Sequence, residues 1–197
     1  MTGTKQRRHR PPGYGYASAA QCGAELIADF RQVVDRKAWP LYIHGTTGVG
    51  KSCAAAVLFG AYRQRPLWFR ADDLLLSMAF GRANGVRVER CDNGQLSFET
   101  VDWPRFARKM RNVNCVFLDD LGVRKPTEAM HQALFDLMEW RQDDSPLPFV
   151  ITSNQPPEEI GKTYDDRIYS RLMAGSVIEM TGADQREGRG YRKRVSV

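Results

Sequence analysis

Residues Gly45–Ser52 read GTTGVGKS, a spacing of glycines, one lysine and one hydroxyl that fits G-x-x-x-x-G-K-[ST]. Gly45, Gly48 and Gly50 let backbone N–H groups turn inward toward phosphate oxygens, and a helix starting at the loop adds its positive N-terminal end. Lys51 is placed to meet the β- and γ-phosphates of ATP, and Ser52 to ligate Mg²⁺. Thr46, Thr47, Val49 and Cys53 complete the candidate nucleotide-binding set. The context is also met, because apolar LYIH precedes the loop and helical AAAVLFGAY follows it.

Three further groups could act on a bound phosphate. Val116-Phe117-Leu118 ends in Asp119 and Asp120. Acid at the carboxyl end of an apolar strand lies where ligands bind in open α/β folds. Asp119 is the candidate to hold Mg²⁺, directly or through water, and Asp120 the candidate to orient and polarise the attacking water. Without a cation, such a pair would repel. In Ile151-Thr152-Ser153-Asn154, Asn154 is the amide able to hydrogen-bond both a γ-phosphate and a lytic water, with Thr152 and Ser153 as second choices. In DDRIYSRL, Arg167 and Arg171 are i and i+4 and share a helix face. They form either surface pairs with Asp165 or Asp166, worth little, or an arginine finger that neutralises charge on a transferred phosphoryl group.

These residues need a sheet edge to meet. Short apolar runs at 41–44, 67–70, 115–119, 149–152 and 177–180 have the length and composition of buried parallel strands. Between them, helical patterns are predicted over 51–65, 72–80, 103–110 and 127–141, with another at 19–35. Met130, Ala133, Leu134, Leu137 and Met138 give the fourth an apolar face, and Thr127 is its expected N-cap. The alternation predicts a three-layer α/β domain. Residues 86–100 break it: two alternating runs around Asp92-Asn93-Gly94 predict a β-hairpin insertion.

Composition narrows the partners. The 197 residues suffice for one domain, and 42% apolar content is ordinary for a globular protein. No apolar run approaches the roughly 18 to 20 residues that cross a membrane, and the N-terminus does not read as a secretory signal. Cys22, Cys53, Cys91 and Cys115 form no CxxC pair, which points to a reducing cytoplasm. The net charge of +6 is concentrated at the ends, in Lys5, Arg7, Arg8 and Arg10 and in Arg186, Arg189, Arg192, Lys193 and Arg194. Basic tails favour a polyanion such as nucleic acid. The stretch Trp103–Arg111 is either a second phosphate-contacting surface or an amphipathic helix with a solvated basic face.

Taken in order, GTTGVGKS, VFLDDLG, ITSN and DDRIYSRL followed by SVIEMTGADQR resemble the AAA+ ATPases of the DnaC/IstB type, the bacterial and phage helicase-loader group. The resemblance runs from about Trp39 to Arg186, three quarters of the chain. It implies a P-loop NTPase (AAA+/ASCE) core with a five-stranded, mainly parallel sheet. In that sheet the strand leading to Asn154 lies between those leading to Lys51 and to Asp119. It implies ATP hydrolysis at subunit interfaces, with a finger supplied by a neighbour; Arg171 fits the family's "RL" box best, with Arg167 one turn earlier. The sensor-like arginine near the end of the domain maps to Arg186.

A DnaC-like protein would help load a replicative helicase on single-stranded DNA. An IstB-like protein would act on duplex DNA with a transposase, and a small-molecule P-loop kinase is a more distant reading. The expected organisation is a basic tail over 1–17, an ATPase domain over 18–185 and a basic tail over 186–197. Neither a separate partner-binding domain nor a helical lid is expected, and the 86–100 insertion has no counterpart in the family pattern.

Overall fold

The computed structural model describes residues 23–62, 64, 66–92, 95–142 and 146–182. Both basic tails, Arg186 and Asn93-Gly94 lie outside the described residues.

Helix α1 spans Gly23–Arg36 and strand β1 Leu41–His44; then follow α2 (Lys51–Ala61), β2 (Leu67–Arg70) and α3 (Ala71–Asn84). Strands β3 (Val86–Asp92) and β4 (Gln95–Val101) form an antiparallel two-stranded sheet of their own, so the expected hairpin is present. The chain continues through α4 (Trp103–Asn112), β5 (Val116–Leu121), α5 (Glu128–Gln142), β6 (Phe149–Ser153), α6 (Pro157–Thr163), α7 (Asp166–Met173) and β7 (Ser176–Glu179). The main sheet has the order β2-β5-β6-β1-β7, and all its pairings are parallel. The strand leading to Asn154 thus lies between those leading to Lys51 and Asp119, as the resemblance implies.

Alternation along the strands builds two cores. Leu41, Ile43, Phe117 and Val150 join Phe30 and Val33 of α1 and Leu58 and Phe59 of α2 on one face. Tyr42, Val116, Leu118, Phe149 and Ile151 point the other way. There they meet Leu75 and Met78 of α3, Phe106 and Met110 of α4, Leu134 and Leu137 of α5, and Ile168 and Leu172 of α7. Period-2 side chains therefore give a central sheet buried on both faces, the three-layer arrangement expected from the sequence.

Helix ends depart from expectation for identifiable reasons. Helix α2 stops at Ala61, four residues early, where Tyr62 turns extended and its N–H caps Leu58. Helix α3 runs on to Asn84, ending at Gly85, whose φ of 76° favours glycine. The Thr127 hydroxyl accepts the Met130 N–H at 3.3 Å, the capping bond expected of it. Helix α6 was not expected, its Pro156-Pro157 start masking a short stretch of helix. No described helix is long and apolar enough to cross a membrane.

Candidate functional site

The loop 45–50 leaves β1, an interior strand of the sheet between β6 and β7, and enters α2. Gly45 has a φ of 152°, and a Cβ there would stand 2.1 Å from the Met180 carbonyl oxygen. The next strand is that close because the Met180 N–H donates to the His44 carbonyl at 2.7 Å. Gly48, half-buried at the middle of the loop, has a φ of 86°, so the turn expected of it is made in a region that favours glycine. Gly50 occupies the left-handed region (φ 97°) as the N-cap of α2, with no side chain capping the helix and no acid in its first turn. Val49 is buried and anchors the loop, while Thr46 and Thr47 are exposed and Cys53 is half-buried. The loop thus presents the uncapped start of a helix toward solvent, which is the electrostatic setting for an anion.

Lys51 is only 5% exposed, and its Nζ donates to the Thr46 carbonyl at 2.7 Å, inside the curl of the loop. Ser52, one residue on, donates its hydroxyl to Asp119 Oδ1 at 2.9 Å. Asp119 is itself 1% exposed at the end of β5. Burial pushes its carboxyl above the usual range and the neighbouring Asp120 adds to that, while Thr152, Ser52 and the Arg70 charge pull the other way. The fold therefore joins the two separate sequence motifs at one carboxylate oxygen.

Thr152 completes that junction. Its hydroxyl donates to Asp119 Oδ1 at 2.6 Å and accepts the Asp120 N–H at 3.0 Å. Ser153 is fully buried and committed locally: it donates to the Leu121 carbonyl at 2.7 Å and accepts the Gln155 N–H at 3.0 Å. Asn154 follows as the exposed residue beyond the strand end, on the same edge as the loop and Asp120. Asp120 is half-buried and has a φ of 61°, rare for a residue with a side chain.

The two arginines sit elsewhere. Arg167 holds Asp165 at 2.8 Å, and Arg171 is paired with Glu139. Both guanidinium groups lie over the Phe135 ring of α5, at 4.6 and 4.3 Å from its centre. Among the described residues their contacts are with α5 and with the start of α7, not with the loop or with Asp119. Asp165 caps α7; slight burial raises its pKa, but the Ile168 N–H, Arg167 and His131 hold it below the usual value.

On α4, Phe106 is buried and Trp103 packs against Phe106 and Trp140, so the aromatic residues serve the core and the basic ones face solvent. Sequence reasoning missed Phe135 beneath both arginines, Glu139 paired with Arg171, and Arg70, in register with Asp119 and adding its charge there. None carries a local signal, because each depends on which strands and helices become neighbours.

Comparison with known proteins places this geometry. No protein-family model matches the chain. A curated relative, the chromosomal replication initiator protein DnaA of Rhizobium meliloti (strain 1021), is 27% identical over 152 residues. That match covers 74% of this chain and 27% of the relative, so the chain spans about a quarter of the length of the curated relative. Among solved structures, the DnaC helicase loader superposes with a TM-score of 0.62 at 15% identity, covering 88% of this chain and 97% of that one. The replication initiator DnaA bound to AMPPCP and single-stranded DNA superposes with a TM-score of 0.58 at 18% identity, covering 81% and 45%. The chain has the P-loop AAA+ fold of these replication proteins.

Proposed function

We propose that this chain is an ATP-hydrolysing replication protein that self-associates through its ATP site and helps load a replicative helicase on single-stranded DNA. The observation that carries the enzymatic part is the 2.9 Å bond from Ser52 to Asp119 beside a buried Lys51. The similarity to a helicase loader and to an initiator bound to single-stranded DNA supports the biological part.

The residues present fit Mg²⁺. Ser52 Oγ and Asp119 Oδ1 are hard oxygen donors side by side, and Mg²⁺ commonly takes one or two protein oxygens and fills its remaining positions with phosphate and water. Ser52 and Asp119 would hold it, and when bound the ion neutralises charge on the phosphate oxygens. The chain's own groups do the rest. Backbone N–H groups of 45–53 bind the phosphates, with Gly48 and Gly50 giving the loop its curl, and Lys51 places a fixed charge against the β- and γ-phosphates. Asp120 orients the attacking water and polarises it. Asn154 hydrogen-bonds that water and the γ-phosphate. Arg171, or Arg167 one turn earlier, acts on the ATP of a neighbouring subunit, which fits two arginines parked away from their own loop. Arg186 is the remaining nucleotide-contacting candidate.

Single-stranded DNA binding followed by fluorescence anisotropy, with and without ATP and across a salt series, tests the reading. ATP is expected to strengthen binding at least about fivefold, the low end of ordinary coupling between sites, and salt to weaken it. Binding indifferent to ATP, or absent in low salt, refutes it. A preference for duplex DNA with no capture of the replicative helicase refutes the loader role and supports a transposition helper.

A further inference from the structure

A regular β-strand sends consecutive side chains to opposite faces of the sheet. Asp119 and Asp120 are consecutive, yet both are assigned to one reaction centre. Between β5 and β6 the register resolves this: Leu118 pairs with Ile151 and Leu121 with Ser153, so two acids on β5 face the single Thr152 on β6. That is the two-against-one count of a β-bulge, which re-aims a side chain and breaks the ladder. The break has two costs. Asp120 takes a left-handed φ of 61°, and its N–H loses a strand partner.

Thr152 answers both from one oxygen. Its Oγ1 accepts the Asp120 N–H at 3.0 Å and donates its proton to Asp119 Oδ1 at 2.6 Å. The side chain is 1% exposed, so no water is needed to complete the arrangement. Its γ-methyl and hydroxyl are fixed by the β-branch, which limits the rotamers the hydroxyl can visit. Ser153 cannot substitute, since its hydroxyl is committed to Leu121 and Gln155.

We propose that Thr152 is a positioning residue: its hydroxyl holds the bulge that lets Asp119 and Asp120 serve one site, and it does so without touching nucleotide. This rests on the proposed roles of the two acids in hydrolysis. It differs from a phosphate-sensing role for the same residue, in which the hydroxyl would face ligand rather than both acids.

The test uses Thr152→Val, which keeps the shape and deletes the hydroxyl, and Thr152→Ser, which keeps the hydroxyl. In the nucleotide-free protein, the Asp120 amide is expected to be protected from hydrogen exchange in wild type and in Thr152→Ser. In Thr152→Val it should exchange at least about tenfold faster, the loss of one buried hydrogen bond. Turnover should fall about 10- to 100-fold in Thr152→Val with KM for ATP within about threefold, and Thr152→Ser should recover most of it. Combined with Asp120→Asn, Thr152→Val should add no further loss.

Unchanged Asp120 exchange in Thr152→Val overturns the proposal. So does a loss of turnover that Thr152→Ser does not rescue, or one explained by KM alone. If wild type does not hydrolyse ATP, the functional reading fails, while the exchange result still decides whether Thr152 holds the bulge. Should Thr152→Val fail to fold, Thr152→Ala carries the same expectations.

Discussion

Replacing Arg141 should destabilise the whole domain, because this arginine is a buried charge whose hydrogen-bond partners among the described residues are all backbone carbonyls. It is 0% exposed, and its guanidinium donates to the carbonyls of Met110 (3.2 Å), Val113 (2.6 Å) and Pro148 (2.6 Å). Those carbonyls close α4 and lead into β5 and β6, the strands that carry Asp119 and Thr152. Burial brings its pKa down to about 10 from 12.5, so it stays charged at neutral pH at a cost of about 3 kcal/mol. Hydrogen bonds from a charged donor contribute about 1.5 to 3 kcal/mol each, so three of them outweigh that cost. Arg141→Met removes both, and the net loss is about 2 to 5 kcal/mol, with the methionine retaining most of the apolar stem. In a domain of this size that lowers Tm by about 5 °C or more. Thermal unfolding followed by circular dichroism without nucleotide reads it. Arg141→Lys should fall nearly as far, because an ammonium lacks the planar fork that spans three acceptors. A methionine variant melting within about 2 °C of wild type refutes the reasoning.

Two further expectations concern the site. Burial raises the pKa of Asp119, so acidification puts a proton on the carboxylate proposed to hold Mg²⁺ sooner than on an ordinary aspartate, and the gain in ATP affinity from Mg²⁺ should shrink as the pH falls from neutral. Calorimetry with Mg²⁺ and with EDTA checks this, and an undiminished gain at the lower pH contradicts it. In the free protein the same shift acts oppositely: the contribution to stability is present below the unfolded pKa and is lost as pH rises through the folded one. For the arginines, Arg171→Ala is expected to bind ATP but turn it over at least about a thousandfold more slowly. Mixing it with Lys51→Ala subunits, which keep both arginines, should restore measurable turnover. No restoration, with Arg167→Ala behaving likewise, excludes a finger supplied by a neighbour.

Much of the layout was legible because its signals are local. GTTGVGKS sits between a strand and a helix whose starts coincide with expectation, and the strands at 41–44 and 67–70 have the expected bounds. Thr127 could be recognised as a cap from its position alone. The bulge could not: Val116–Asp120 reads as an uninterrupted strand, and only pairing with β6 shows that two residues face one. Thr152 for the same reason looked like a ligand-sensing hydroxyl rather than the holder of two acids. Phe135 lies outside the apolar face read on α5, and its place under both arginines depends on how α7 packs against α5. The burial of Arg141 has no local signal either, since it follows from three chain segments converging at the opposite end of the sheet.

The most direct test of ATP hydrolysis at this site is the Asp120→Asn protein, assayed for nucleotide binding and phosphate release on the same preparation. Retained Mg²⁺-dependent ATP affinity with phosphate release reduced at least about a hundredfold is the predicted result. Phosphate release at the wild-type rate would contradict the account.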